Sequence, residues 1–66
     1  MWVVVYVAPN RRVASYLKEL LEVEGILVKI KEANLFSKEE RNVEVMVSEV
    51  EIEEATEVIN NALQQA

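Results

Sequence analysis

The sequence predicts an α+β fold in which three strands form one sheet and two helices cover one of its faces. Three segments are apolar or alternate between apolar and polar residues, the period of a strand. Two further segments repeat apolar residues every three or four positions, the period of a helix. The elements follow one another as β-α-β-β-α. A chain of 66 residues buries roughly 60% of its unfolded surface on folding, so we expect one domain over residues 1–66.

The first predicted strand, residues 2–7, is apolar at every position. Successive side chains of a strand point to opposite faces, and the helices can cover only one face. A regular alternation divides the strand as follows: Val3, Val5 and Val7 toward the helices, and Trp2, Val4 and Tyr6 toward the other side. We therefore expect an uncovered apolar surface.

The first helix is predicted from Arg11 to Glu24. Asn10 precedes it and is a favoured residue for accepting a hydrogen bond from a free amide at a helix N-terminus. Gly25 follows it and is the sole glycine of the chain. Because glycine adopts a left-handed backbone without a steric penalty, Gly25 is expected to end the helix.

The next two strands are predicted at residues 26–31 and 42–47, joined by a long polar connection that contains Leu35 and Phe36. Both strands alternate. In the third strand the inward positions are Val43, Val45 and Val47, and in the second the outward positions include Lys29 and Lys31. We expect an antiparallel hairpin with one face in the core.

The second helix is predicted to begin after Ser48. Ser48 and Glu51 have the spacing of a capping box, in which the serine hydroxyl accepts from the Glu51 amide and the glutamate carboxylate accepts from the Ser48 amide. An apolar stripe then continues at helical spacing. To bury that stripe, the second helix must lie beside the first on the same side of the sheet.

Composition disfavours several classes of function. The chain has no cysteine and no histidine, and its formal net charge is −5. Imidazole catalysis, thiolate chemistry and zinc sites with sulfur or nitrogen ligands lack their side chains, so we expect no enzyme, no cofactor and no metal. The acidic balance opposes contact with phosphates, which disfavours nucleic acid. No long apolar run or secretory pattern is visible, and we therefore expect a cytoplasmic protein that does not bind membranes.

The uncovered apolar surface predicts an interface with another protein. Its expected residues are Trp2, Val4, Tyr6, Leu27 and Met46. Surplus apolar area of this kind typically marks a contact surface, and tryptophan and tyrosine are enriched in such contacts. A homodimer is the first candidate. Two modes remain open: burial of the uncovered sheet face, or pairing of the exposed edge of the first strand. An accessory role on a larger enzyme is a further alternative.

A second hypothesis concerns the start of the first helix. Asn10, Arg11 and Arg12 lie where a helix presents free amides and a positive partial charge. Such an end binds anions, so these residues are a candidate site for a phosphate, a nucleotide or a carboxylate. The alternative is that both arginines are solvated or pair weakly with nearby glutamates.

Residues 4–30 and 43–59 together resemble a family of small prokaryotic signal-transducing proteins. The shared features are the Ala8-Pro9-Asn10 turn, the Leu-Leu-Glu-Val-Glu-Gly ending of the first helix and the Glu-Glu-Ala of the second. The resemblance implies a ferredoxin-like fold that lacks its last strand, related to the PII nitrogen regulators, with the third strand between the first two. It implies a signalling role without a catalytic motif, since each shared feature has a capping or packing explanation.

Overall fold

The computed structural model describes residues 1–32 and 42–64. Its elements are β1 (Trp2–Ala8), α1 (Arg11–Val23), β2 (Val28–Glu32), β3 (Val43–Ser48) and α2 (Ile52–Gln64), with a 3-10 turn over Glu49–Glu51 before α2. The predicted order β-α-β-β-α is confirmed. The predicted connection with Leu35 and Phe36 lies outside the described residues.

The three strands form one antiparallel sheet in the order β1-β3-β2. The last strand in sequence is therefore the central one, which confirms the predicted topology. Its three valines, Val43, Val45 and Val47, are almost completely buried. These valines mark the face that both helices cover.

The core lies between that face of the sheet and the two helices. Its buried residues are Ala8, Ala14, Leu17, Leu21, Ile26, Val43, Val45, Val47, Ala55 and Ile59. Helix α1 packs against all three strands, and α2 packs against β1, β3 and α1. Both helices thus lie on one side of the sheet, as predicted, and within residues 1–32 and 42–64 no element covers the opposite side.

A β-bulge at Val5 changes the alternation of β1. Val4 pairs with Met46, and the next paired residue, Tyr6, lies opposite Val45, so two residues of β1 span one step of β3. Tyr6 and Val5 both pack against the core. The expectation that Tyr6 lies on the uncovered face is therefore wrong, because the extra residue turns its side chain toward the helices.

The same bulge moves Val7 to the uncovered face. Val7 pairs with Glu44, whose side chain alternates with those of the core valines, and 51% of Val7 is exposed. The expectation that Val7 faces the helices is therefore wrong, because the extra residue at the bulge reverses the faces of the residues that follow it. Beyond the bulge, every residue of the strand has exchanged its expected face.

Both ends of α1 are capped as the sequence predicts. The Val13 amide donates to Asn10 Oδ1 over 2.9 Å, which satisfies one free donor of the first turn. At the other end, the Gly25 amide donates to the Glu22 carbonyl and the Ile26 amide to the Leu21 carbonyl. These two bonds form a Schellman motif. Because Ile26 takes part in it, β2 begins at Val28, two residues later than predicted.

Replacement of Gly25 by alanine is expected to lower the free energy of unfolding by about 1 kcal/mol. Gly25 has a φ of +85°, and no atom beyond its two chain neighbours lies within 4 Å of the position that a Cβ would occupy. The loss therefore comes from the strained backbone conformation of the residue itself and not from a clash with the surrounding side chains. Asparagine tolerates this backbone better, so Gly25→Asn is expected to lose less than Gly25→Ala in urea unfolding. Equal losses would contradict the assignment of a left-handed helix end.

The start of α2 differs from the predicted capping box. The Ser48 hydroxyl donates to Glu51 Oε1 over 3.3 Å, and its oxygen accepts no amide of the following turn. The segment from Glu49 to Glu51 forms a tighter 3-10 turn, and the α-helix begins at Ile52. The two predicted partners therefore meet through their side chains only.

Candidate functional site: the open sheet face

The side of the sheet that carries no helix is called the open face. The strand register assigns its residues, since directly paired residues share a face. They are Trp2, Val4 and Val7 from β1, Glu44, Met46 and Ser48 from β3, and Lys29 and Lys31 from β2. The face is apolar along β1 and basic along β2.

The apolar side of the open face consists of Trp2, Val4 and Val7, and we refer to these three as the β1 row. Their exposed fractions are 42%, 38% and 51%. Met46 lies beside the row on the central strand, directly opposite Val4, and is half-buried. The row is therefore a continuous apolar strip along one margin of the sheet, and no helix covers it.

A cation–π contact crosses the open face. The Lys29 Nζ atom lies 5.6 Å from the centre of the Trp2 ring. Since β3 separates the strands that carry these residues, the two side chains reach toward each other across the central strand. Contacts of this kind contribute about 0.5–1 kcal/mol at exposed sites. The contact restrains the indole ring, so less side-chain entropy is lost when a partner covers it.

The structure brings together three of the five residues of the predicted interface: Trp2, Val4 and Met46. Tyr6 lies on the covered side. Leu27 precedes β2 and is 73% exposed, outside the paired part of the sheet. Whether these residues form an interface stays a prediction.

Sequence reasoning missed Val7. Residues 2–7 are all apolar, so no polar residue among them shows where the side chains switch from one face of the sheet to the other. The sequence of this strand therefore gives no sign of the bulge. The indirect signal was the partner strand. Once β3 was oriented by its valines, Val7 had to follow Glu44 to the open face.

The two edges of the sheet differ in charge. The seven residues of β1 include no charged side chain, whereas three of the five residues of β2 are charged: Lys29, Lys31 and Glu32. Charged side chains on an edge strand discourage pairing with another chain. Edge β2 is therefore protected against pairing, and edge β1 lacks this protection.

The predicted anion-binding residues lie together at the start of α1. Asn10 Oδ1 caps the helix, and Arg11 Nη1 is 3.8 Å from Glu32 Oε2, with about two thirds of both side chains exposed. An ion pair this exposed contributes little to stability. Within residues 1–32 and 42–64, Arg12 forms no ion pair. Anion binding at these residues stays a prediction.

The helix side of the domain also has a surface groove. A shallow groove of about 230 Å³ runs between α1 and α2, lined by Tyr16, Leu20, Val23, Val58 and Ala62 among others. In the described part of the chain, no three carboxylates are grouped closely enough to hold a metal ion. Over the same residues, neither helix combines the length and the apolar character needed to cross a bilayer.

Comparisons with known proteins give one match. The model of a family described as "Putative prokaryotic signal transducing protein" matches residues 2–63, which include all the described strands and helices except Gln64 at the end of α2. A search of the curated proteins found no match, and a search of the solved structures found none. The matched range contains the β1 row and the whole open face. The chain therefore belongs to the family described as "Putative prokaryotic signal transducing protein".

Proposed function

We propose that the chain is a non-catalytic interaction module of a signalling system, and that it associates with a second copy of itself through the β1 row. The observation that carries the proposal is the exposure of Trp2, Val4 and Val7 in one strip beside Met46. Neighbouring exposed apolar side chains of this kind are a common feature of protein contact surfaces.

The composition of the open face fits a contact surface. Interfaces have an apolar centre with aromatic residues and a polar margin. On the open face Trp2 provides the aromatic residue, while Lys29, Lys31 and Glu44 lie to the side of the apolar strip. The bound copy would thus be held by apolar contacts, with the charged side chains at the margin.

The size of the domain favours association. A domain of 66 residues is expected to be stable by roughly 3–10 kcal/mol, with little apolar area to spare for its core. Burial of the β1 row between two copies removes further apolar surface from water, at about 25 cal/mol per Å². Association therefore stabilises the fold, and the melting temperature is expected to rise with protein concentration.

The chain contains its own reporter of this contact. Trp2 is the sole tryptophan and lies in the β1 row. If the row is buried between copies, the Trp2 emission maximum moves to shorter wavelength as the concentration rises, over the same range in which sedimentation equilibrium detects a higher mass. An emission maximum and a mass that both stay constant up to millimolar concentration would overturn the proposal.

Val4→Glu is expected to abolish self-association while the chain remains folded. The new carboxylate lies in the middle of the β1 row, where association would have to remove it from water. The matched control is Val23→Glu on α1, where 82% of the side chain is exposed. Sedimentation equilibrium of both variants, with circular dichroism to verify folding, is the measurement.

The control also tests the competing surface between the helices, since Val23 lines that groove. Loss of association in Val23→Glu but not in Val4→Glu would place the contact on the helices and overturn the proposal. A wild-type chain that is monomeric alone but gains mass with a different purified protein would identify a partner of another kind, and would equally overturn self-association.

A further inference from the structure

Among the described residues, the backbone groups at the outer edge of β1 have no hydrogen-bonding partner strand. The Glu49 amide donates to the Met1 carbonyl over 2.9 Å, so Met1 and Glu49 form a hydrogen-bonded pair. Hydrogen-bonded and non-hydrogen-bonded pairs alternate along an antiparallel ladder. The pairs of Trp2 with Ser48 and of Val4 with Met46 are therefore non-hydrogen-bonded. In such pairs the amide and carbonyl of Trp2 and Val4 point away from β3, toward the free edge.

The same alternation shows which backbone groups of β2 point away from β3, toward its outer edge. The amide of Met46 points away from β1 and thus toward β2, where Met46 pairs with Lys29. The outward backbone groups of β2 are consequently those of Val28 and Ile30. The neighbouring lysines make this edge a poor template for another strand, because a second copy paired there would bring their like charges together.

We propose that two copies pair through their β1 edges, antiparallel and related by a two-fold axis, and so form one continuous six-stranded sheet. This inference rests on the proposed self-association and specifies its geometry. Pairing of a strand with its own copy closes the assembly at two chains. Each copy uses its uncharged edge, and the charged β2 edges lie at the two outer margins.

The charges of the open face favour this arrangement over two stacked sheets. A two-fold axis along the strands stacks the β1 row of one copy on Lys29 and Lys31 of the other. An axis across the strands stacks lysines on lysines. Either arrangement removes ammonium groups from water without a paired carboxylate for each. Edge pairing leaves every one of these groups solvated.

The bulge limits the register. The straight part of β1 that precedes Val5 ends at Val4, so the two-fold axis is placed beside Val3. Trp2 of each copy then lies opposite Val4 of the other, and the outward amides and carbonyls of these residues form about four hydrogen bonds between the copies. The two β1 rows meet at the centre of the joined open face.

Amide hydrogen exchange tests the edge directly. As the protein concentration rises through the association range, exchange at Val4 is expected to slow about tenfold or more, because its outward amide becomes hydrogen-bonded. Exchange at Ile30, whose amide points outward from the other edge, is expected to stay constant. Slowing at Ile30 without slowing at Val4 would overturn the proposal.

A synthetic chain with an N-methyl group on Val4 removes one donor and leaves every side chain unchanged. We expect its dissociation constant to rise about tenfold or more, whereas N-methylation of Ile30 is expected to leave the constant unchanged. Neither change removes a hydrogen bond inside the chain, because both amides point outward. Circular dichroism of both synthetic chains verifies that they fold.

The outcomes separate this inference from the proposed function. Association that Val4→Glu abolishes but N-methyl-Val4 does not, with fast exchange retained at Val4, overturns edge pairing and leaves self-association through the β1 row intact. A chain that is monomeric at all concentrations overturns both.

Discussion

Tyr6→Lys is expected to lower the free energy of unfolding by about 2–3 kcal/mol, a large share of the stability of a domain of this size. The Tyr6 ring lies opposite Val45 and packs against the core. Lysine loses these ring contacts, and its ammonium group must reach past the edge of the helix layer to remain in water.

Val7→Lys is the matched control at the adjacent position. Val7 is half exposed and lies opposite Glu44 on the open face, so a lysine there is solvated and gains an oppositely charged neighbour. We expect its stability to remain within about 0.5 kcal/mol of the wild type. Urea unfolding at the lowest practical concentration, where association contributes least, is the measurement.

A regular alternation of β1 predicts the opposite ranking. Without the bulge, Tyr6 would face solvent and Val7 would face the helices, so lysine would be tolerated at position 6 and not at position 7. The two variants therefore decide between the two backbone registers. A greater loss in Val7→Lys than in Tyr6→Lys would contradict the bulge at Val5.

The elements that the sequence predicts correctly are those in which polar and apolar residues contrast. The third strand alternates between valines and other residues, and its three valines are buried as expected. The first helix is bounded by Asn10 and Gly25, and both residues act as the sequence indicates. At these positions a single local physical reason fixes the conformation, so no tertiary information is needed.

The errors occur where a local pattern admits more than one solution. The first strand is apolar throughout, so its sequence is compatible with an extra residue anywhere along it, and only pairing with β3 locates the bulge. Ser48 and Glu51 have capping-box spacing, but the side chains hydrogen-bond to each other and the helix starts later. Three residues of the predicted interface nevertheless share the open face, because Trp2 and Val4 precede the bulge.

The bulge also connects fold and function. It directs Tyr6 into the core, and it extends the β1 row to Val7 on the open face. It also interrupts the free edge, since a bulge bends the strand and increases its twist. In the proposed pairing of two β1 edges, the bulge therefore limits the paired segment to the residues from Trp2 to Val4. Such a short contact is expected to be reversible, which suits a signalling module.

Leu21→Ala is expected to destabilise the fold by about 2–5 kcal/mol, a large share of the stability of a domain of this size. Leu21 is completely buried, and its carbonyl accepts the amide of Ile26 in the motif that ends α1. Truncation to alanine leaves a cavity in the core next to the turn between α1 and β2. The truncation also removes the apolar contact with Ile26 that accompanies a Schellman motif.

Leu20→Ala makes the same chemical change one position earlier in α1. Leu20 is only partly buried and lines the groove between the helices, so its truncation opens no enclosed cavity, and we expect a loss of about 1 kcal/mol or less. Thermal and urea unfolding of both variants measure the difference. Because alanine favours a helix at either position, helix propensity cancels between them, and the difference reports burial alone. Similar losses in the two variants would contradict the core in which Leu21 joins α1 to the sheet.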